Sequence, residues 1–253
     1  MTIDLNADVG EATTDSAHAA ELEVLDFVTS ANIACGAHAG DDETMRATLR
    51  AAVSRRLAVG AHPGYPDREW MGRRSLSLEP AAIVALVAAQ IRRLASLARE
   101  EGAVVSYVKA HGALYNDAAR DRVIADAIAA AVVLVDPQLR LIGLSGSALI
   151  DAGREAGLET AEEGFVDRAY RDDGSLAPRT EPGAVLTELA LVTVRACDLA
   201  LGRAIATSNG AHRVIHADTL CLHADTPGAP ALARAVRSAL TNANVIVRAI
   251  GAT

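Results

Sequence analysis

The chain has 253 residues, of which 51% are hydrophobic and only 3% aromatic, with a formal charge of −8. That length supports one sizeable core built from Ala, Val, Leu and Ile. The acidic balance argues against nucleic acid or an anionic membrane surface as the main partner. Three Cys without a CxxC pair suggest neither a disulfide framework nor a zinc knuckle. The chain starts directly into Ile3-Asp4-Leu5-Asn6, with no basic-then-apolar leader and no apolar run of spanning length, so a cytoplasmic location is expected.

In chain order, residues 2–6 read as a strand that ends at Asp8-Val9-Gly10-Glu11, two acids on a turn. A helix follows within 12–28. Strand two, 30–35, leads into Gly36-Ala37-His38-Ala39-Gly40-Asp41-Asp42, where Asp41 or Asp42 can cap the next helix. Capping is the preferred role for Asp42. Strand three, 57–61, ends at His62. The segment 63–78 has no periodicity and holds Tyr65, Trp70, Arg73 and Arg74. Loops this long serve as lids or binding loops. Two Arg beside a Trp suit an anionic or flat ligand.

A helix opens at Ser77 or Pro80 and ends at Gly102. Strand four, 104–108, runs into Lys109-Ala110-His111-Gly112, followed by Tyr115 and Asn116. Strand alternation aims Lys109 and His111 the same way; a Lys snorkelling from a barrel mouth is the bland alternative. A single helix is expected over 118–135, then strand five at 139–144, a short helix at 148–156, and strand six at 158–165. A second long loop, 166–181, carries Asp167, Arg168, Tyr170, Arg171 and Arg179. A helix over 182–201 with Thr180 as its cap comes next. Ser208-Asn209-Gly210 then marks a hairpin, with His212 and His216 as local surface residues. The last main strand, 219–222, ends at His223 and Asp225. Thr226 and Pro227 open the final helix, and a terminal strand at 245–249 closes the structure.

Four His thus each follow an apolar run by a residue or two: His38, His62, His111 and His223. One such residue is a common core or capping His. Four in one context put them on a shared rim, where α/β folds place their chemistry. Strands alternating with helices, and candidate residues after at least five different strands, favour one barrel over a Rossmann sheet. There is no Gly-rich dinucleotide loop, no P-loop and no internal repeat. The rim would hold Asp8, Glu11, His38, His62, Lys109, His111, His223 and Asp225. Two chemistries remain open. His38, His62 and Asp8 could hold a divalent metal that activates water. Alternatively His and Asp act as general acid and base while Lys109 and the loop Arg hold an anion.

These motifs resemble the LamB/YcsF family of 5-oxoprolinase A subunits. The matching segments are Leu5-Asn6-Ala7-Asp8-Val9-Gly10-Glu11, Ala31-Asn32-Ile33-Ala34-Cys35-Gly36-Ala37-His38-Ala39-Gly40-Asp41 and Gly60-Ala61-His62-Pro63-Gly64-Tyr65-Pro66-Asp67. Others are Gly72-Arg73-Arg74, Val108-Lys109-Ala110-His111-Gly112-Ala113-Leu114-Tyr115-Asn116, residues 163–168, and Cys221-Leu222-His223-Ala224-Asp225. Ala7, Ala37, Ala110 and Ala224 replace the family's usual Cys, aromatic, Pro and Gly; each lies beside a polar group and none replaces one.

The resemblance implies a single (β/α)7-type barrel over 1–253, similar to the glycoside hydrolase and deacetylase barrels. It implies ATP-dependent opening of 5-oxoproline to L-glutamate, with Mg–ATP as co-substrate and separate B and C subunits as partners. Catalytic roles are expected for Asp8, Glu11, His38, His62, Lys109, His111 and His223. Substrate or ATP contacts are expected for Tyr65, Arg73, Arg74, Tyr115, Asn116, Asp167, Arg168 and Asp225. The runner-up is a stand-alone metal-dependent deacetylase or amidohydrolase. A third reading is a non-catalytic subunit that presents substrate to a partner.

Overall fold

The computed structural model describes residues 1–226 and 228–251. Seven parallel strands close into a barrel: β1 (Thr2–Val9), β2 (Ser30–Ala34), β3 (Ala58–His62), β4 (Val105–Lys109), β5 (Arg140–Leu144), β6 (Thr160–Phe165) and β9 (Thr219–His223). Closure is made by β9, which pairs with β6 through Glu163↔Thr219 and with β1 through Asn6↔Cys221. Parallel neighbours require crossovers. Helices α1 (Asp15–Val24), α2 (Asp42–Ser54), α3 (Pro80–Glu100), α4 (Gly112–Arg120), α5 (Arg122–Val135), α6 (Ala148–Glu155), α7 (Leu189–Ala200) and α8 (Ala229–Asn242) supply them or follow the last barrel strand. The expected hairpin is present as β7 (Ala204–Ala206) and β8 (His212–Val214), antiparallel and outside the barrel.

Several boundaries differ from the sequence reading, each for a local reason. The helix expected over 118–135 is two helices, because Asp121 leaves the helical region (φ −108°, ψ 110°) and caps α5 by accepting from the Val123 amide at 2.8 Å. The helix expected over 182–201 starts only at Leu189. Asp41, not Asp42, caps α2, accepting from the Thr44 amide at 2.8 Å. Asp42 instead pairs with Arg93 at 2.7 Å. Gly228, at φ 78°, is the residue that precedes α8, not Thr226; Pro227 lies outside the described residues. The terminal strand is only β10 (Ile246–Val247), which adds to the start of β1 and does not close the barrel.

Period-2 alternation sorts each strand's side chains between the lumen and the helical shell. On β1, Ile3, Leu5, Ala7 and Val9 belong to the apolar core, whereas Asp4, Asn6 and Asp8 bond into the lumen. Helix α3 is long and apolar enough to cross a membrane by composition, but its Ile83, Val87, Ile91 and Leu94 are buried in that same core. Burying a Leu or Ile side chain contributes about 1.5–3 kcal/mol. The shell therefore carries the stability, and the lumen is free to be polar. Such a lumen differs from the branched apolar layers that usually fill a parallel barrel. Gly60 makes room for it: a Cβ there would lie 2.0 Å from the Tyr107 ring, which crosses the lumen so that its hydroxyl donates to Asn32 at 2.7 Å.

Candidate active site

The polar lumen opens at the C-terminal ends of the strands into a cavity of about 660 Å³. Its floor is a buried charge network. Lys109 donates to Asp8 at 2.8 Å and also contacts Glu163 at 2.9 Å and Cys221 Sγ at 3.1 Å. Burial opposes the ammonium charge, but Asp8, Cys221 and Glu163 outweigh it and hold the Lys109 pKa well above its usual value. Asp8 is held well below the carboxylate range: burial opposes ionisation, and the His62 and Lys109 charges overcome it. Asn6 donates to Glu163 at 3.0 Å, Asn32 donates to Asp8 at 2.7 Å, and the Tyr115 hydroxyl donates to Glu163 at 2.8 Å. The polar groups on this floor thus share partners, which is what a buried charge needs.

On the β1–β4 side, three imidazoles surround one carboxylate. Glu11 Oε1 lies 2.9 Å from His111 Nδ1, 3.3 Å from His38 Nε2 and 3.5 Å from His62 Nε2. Burial disfavours the Glu11 charge, yet His111 and His38 depress its pKa well below normal. The same contact raises His111 against the burial that would lower it. His38 falls to about 4, from burial first and then the charge of His111. Two backbone carbonyls fix the ring tautomers. His62 Nδ1 donates to Lys109 O at 2.8 Å, and His111 Nε2 donates to Met71 O at 2.8 Å. A segment of the 63–78 loop seals this side. A Cβ on Gly64 would meet His38 Nδ1 at 2.6 Å, and one on Gly72 (φ +65°) would meet His38 Cβ at 2.8 Å. Glycine alone lets the loop approach the rings so closely.

On the β6–β9 side the arrangement is simpler. His223 Nδ1 lies 2.9 Å from Asp167 Oδ2, and the same oxygen accepts from the His223 amide at 3.0 Å. Asp167 is fully buried and still titrates low, because the His223 contacts outweigh the burial penalty. His223 lines the cavity, and its Nε2 has no hydrogen-bond partner among the described residues. A neutral imidazole with Nδ1–H held by a carboxylate presents a basic Nε2 lone pair, the arrangement of a general base. Above it, Arg73 and Arg179 both bind Asp225.

Most residues expected from sequence converge here. Asp8, Glu11, His62, Lys109, His111, His223, Arg73, Tyr115, Asn116, Arg168 and Asp225 line the cavity. Others do not. His38 is buried behind His111, with the two rings stacked at 3.9 Å. Tyr65 is buried and donates to Asp117 at 3.3 Å. Arg74 turns outward to Asp67 at 3.2 Å and lies over Trp70. Asp167 is buried against His223 and does not itself line the cavity. Arg168, although it lines the cavity, spends its guanidinium on the carbonyls of Ala177 and Ala184, bracing the 166–181 loop, and burial lowers its pKa to about 10. Asn6, Asn32, Tyr107, Glu163 and Cys221 have no role in the sequence reading, yet all bond within the network on the floor. For all of these but Glu163 the signal is alternation: Asp4-x-Asn6-x-Asp8, Ser30-x-Asn32, Tyr107-x-Lys109 and Cys221-x-His223 place polar groups two residues apart on largely apolar strands.

Comparison with solved structures gives a lactam utilization protein from Thermus thermophilus, 43% identical at a TM-score of 0.92, covering 99% of this chain and 100% of that one. A candidate cellobiose-phosphate cleavage protein from Enterococcus faecalis shares the fold at 13% identity and a TM-score of 0.55, covering 97% and 96%. A family 4 carbohydrate esterase from Streptomyces lividans follows at 10% identity and a TM-score of 0.49, covering 99% and 93%. With residues 3–253 matching its profile, this chain belongs to the LamB/YcsF family.

Proposed function

We propose that the chain is the A subunit of an ATP-dependent 5-oxoprolinase, which opens the lactam of 5-oxoproline (pyroglutamate) to L-glutamate in the cytoplasm and works with B and C subunits. The observation that carries this reading is the Asp167–His223 pair facing the same cavity as the Lys109 floor and the Arg73–Asp225–Arg179 cluster. Its support from outside is the lactam utilization protein that is 43% identical over essentially the whole length.

A five-membered lactam is an unactivated amide, so coupling to ATP is chemically sensible. The γ-phosphoryl group moves from Mg–ATP to the lactam oxygen and ADP leaves. Water then adds to the activated carbon and gives a proton to His223 Nε2. The ring nitrogen accepts a proton and departs as the amine. The acyl phosphate that results is hydrolysed by a second water to glutamate and phosphate. This reading assigns Lys109, the cation on the cavity floor, to charge on the lactam oxygen, and Arg73 and Arg179, on the rim, to phosphate.

The test is glutamate release from 5-oxoproline, with this chain alone and with subunits B and C, each with and without ATP. Release that requires ATP and the partners supports the reading. No release from the complete mixture ends it. One observation favours a second reading: the imidazole and carboxylate cluster around Glu11 suits a stand-alone metal-dependent amidohydrolase, which would turn over an amide without ATP and stop with chelator.

A further inference from the structure

We propose that Asp8, Glu11, His62 and His111 form a binding site for one zinc-class divalent cation, whichever reaction the cavity serves. Two ring tautomers create it. His62 gives its Nδ1 hydrogen to Lys109 O and His111 gives its Nε2 hydrogen to Met71 O. In the neutral rings the remaining nitrogens, His62 Nε2 and His111 Nδ1, carry lone pairs, and they face each other across 3.0 Å. Two carboxylate oxygens point into the same gap: Glu11 Oε1 at 2.9 Å from His111 Nδ1, and Asp8 Oδ2 at 3.4 Å from His62 Nε2. The acceptor atoms of Asp8, His62 and His111 lie within 4.8 Å of one another and Glu11 Oε1 adjoins both rings, so with neutral rings these lone pairs face one gap that a cation would satisfy.

The spacings fit one ion. Ligands at about 2.0–2.2 Å from a metal stand about 2.9–3.5 Å from one another in tetrahedral or octahedral geometry. The three contacts named span 2.9–3.4 Å, and Glu11 Oε1 to His62 Nε2 is 3.5 Å. The surroundings are also those of a metal site. Each ligating ring has its outer N–H on a backbone carbonyl, which fixes its orientation. Asp8 uses its other oxygen for Lys109 and Asn32, leaving Oδ2 free. His38 Nε2 lies 3.3 Å from Glu11, placed to orient it. Two imidazoles with two carboxylates select the zinc, manganese and iron class over magnesium or calcium.

The set differs from the His38, His62 and Asp8 grouping expected from sequence. His38 sits behind this set: its ring is stacked on His111 at 3.9 Å and its Nε2 meets Glu11 at 3.3 Å. The rings of His62 and His111 stand at 84°, which lets their lone pairs converge. When bound, such an ion supplies Lewis acidity and lowers the pKa of a ligated water.

The experiment measures metal and needs neither ATP nor the partner subunits, so its failure is separate from that of the 5-oxoprolinase reading. The full chain, stripped with chelator and shown to be folded by circular dichroism, is titrated with zinc and with cobalt. The expected result is one equivalent bound per chain, a rise in Tm, and visible absorption from cobalt in a nitrogen- and oxygen-ligated site. Glu11→Gln and His111→Asn should each weaken binding by at least 10-fold to 100-fold. Asp167→Asn, on the other side of the cavity, should leave it unchanged. No saturable binding by folded wild-type chain overturns the proposal. So does binding that survives in both Glu11→Gln and His111→Asn.

Discussion

The two sides of the cavity mouth both present imidazole beside carboxylate, yet they are wired differently. Around Glu11, the outer nitrogens of His62 and His111 donate to backbone carbonyls, so the inner nitrogens converge on each other and on the acid. Around Asp167, the carboxylate takes the inner nitrogen of His223 and leaves the outer one facing the cavity. The first arrangement gathers lone pairs to a point and suits a cation. The second aims a single lone pair into space and suits proton transfer. The same two residue types serve both because the partner of the second ring nitrogen decides what the first can do.

The floor joins the two sides, so the largest effect should follow from breaking it. Lys109→Met leaves Asp8 and Glu163 buried without their shared cation. Breaking a buried pair from one side costs about 3–5 kcal/mol. Urea unfolding should show a loss of that size, with activity abolished. A variant of near wild-type stability would mean that the floor is solvated and the two sides are independent. Next in size is Asp167→Asn, which removes the anchor of His223. A positioned general base is worth about 10²–10⁴-fold, so turnover in the complete 5-oxoproline assay should fall within that range while folding is retained. Unchanged turnover would remove His223 from the chemistry.

A smaller effect is expected where the loop presses on the rings. Gly72→Ala adds a Cβ at 2.8 Å from His38 Cβ in a left-handed backbone (φ +65°), and should cost about 1–3 kcal/mol through strain and displacement of His38 and His111. A thermal melt checks it. Gly102→Ala, left-handed at φ +75° but with no atom within 4 Å of its Cβ, separates backbone strain from crowding of the rings.

The rim is legible in the sequence and the interior is not. His62, Lys109, His111 and His223 can be placed because each ends an apolar run, and strand ends in a parallel barrel face one mouth. Asn6, Asn32 and Glu163 cannot, because their partners lie far along the chain: Asn6 and Glu163 are 157 residues apart. A lumen is also expected to be apolar, so polar alternation reads as a solvated strand face. His38 looks equivalent to the other three in sequence; its burial depends on Gly64 and Gly72, which close the loop over it. The break at Asp121 is hidden because the apolar stripe runs on through α5, whereas the cap is a single side chain. Tyr65 stands in a loop rich in Pro and Gly, where nothing signals that Asp117 takes its hydroxyl.

The smallest expected effect concerns how Glu11 itself is held. Glu21 of α1 is buried and accepts from the Gly10 amide at 2.9 Å and the Glu11 amide at 3.1 Å, so it fixes the backbone that presents Glu11. Burial raises its pKa from 4.5 to about 7, beyond what the backbone donors offset. Between those two values the folded state binds a proton that the unfolded chain has released. Stability therefore falls as pH rises through that window and stops changing on this account above it, at a slope of about 1 kcal/mol per pH unit. Glu21→Gln cannot titrate. Its unfolding free energy, measured in urea from pH 5 to 8, should lack that share of the slope, although its baseline is lower because one amide loses a good acceptor. Other groups titrate as well, so the difference between wild type and variant at each pH is the quantity that reads Glu21. Parallel profiles for the two proteins would show that Glu21 is ionised throughout, and that a charged carboxylate, not a protonated one, holds the Gly10 and Glu11 amides.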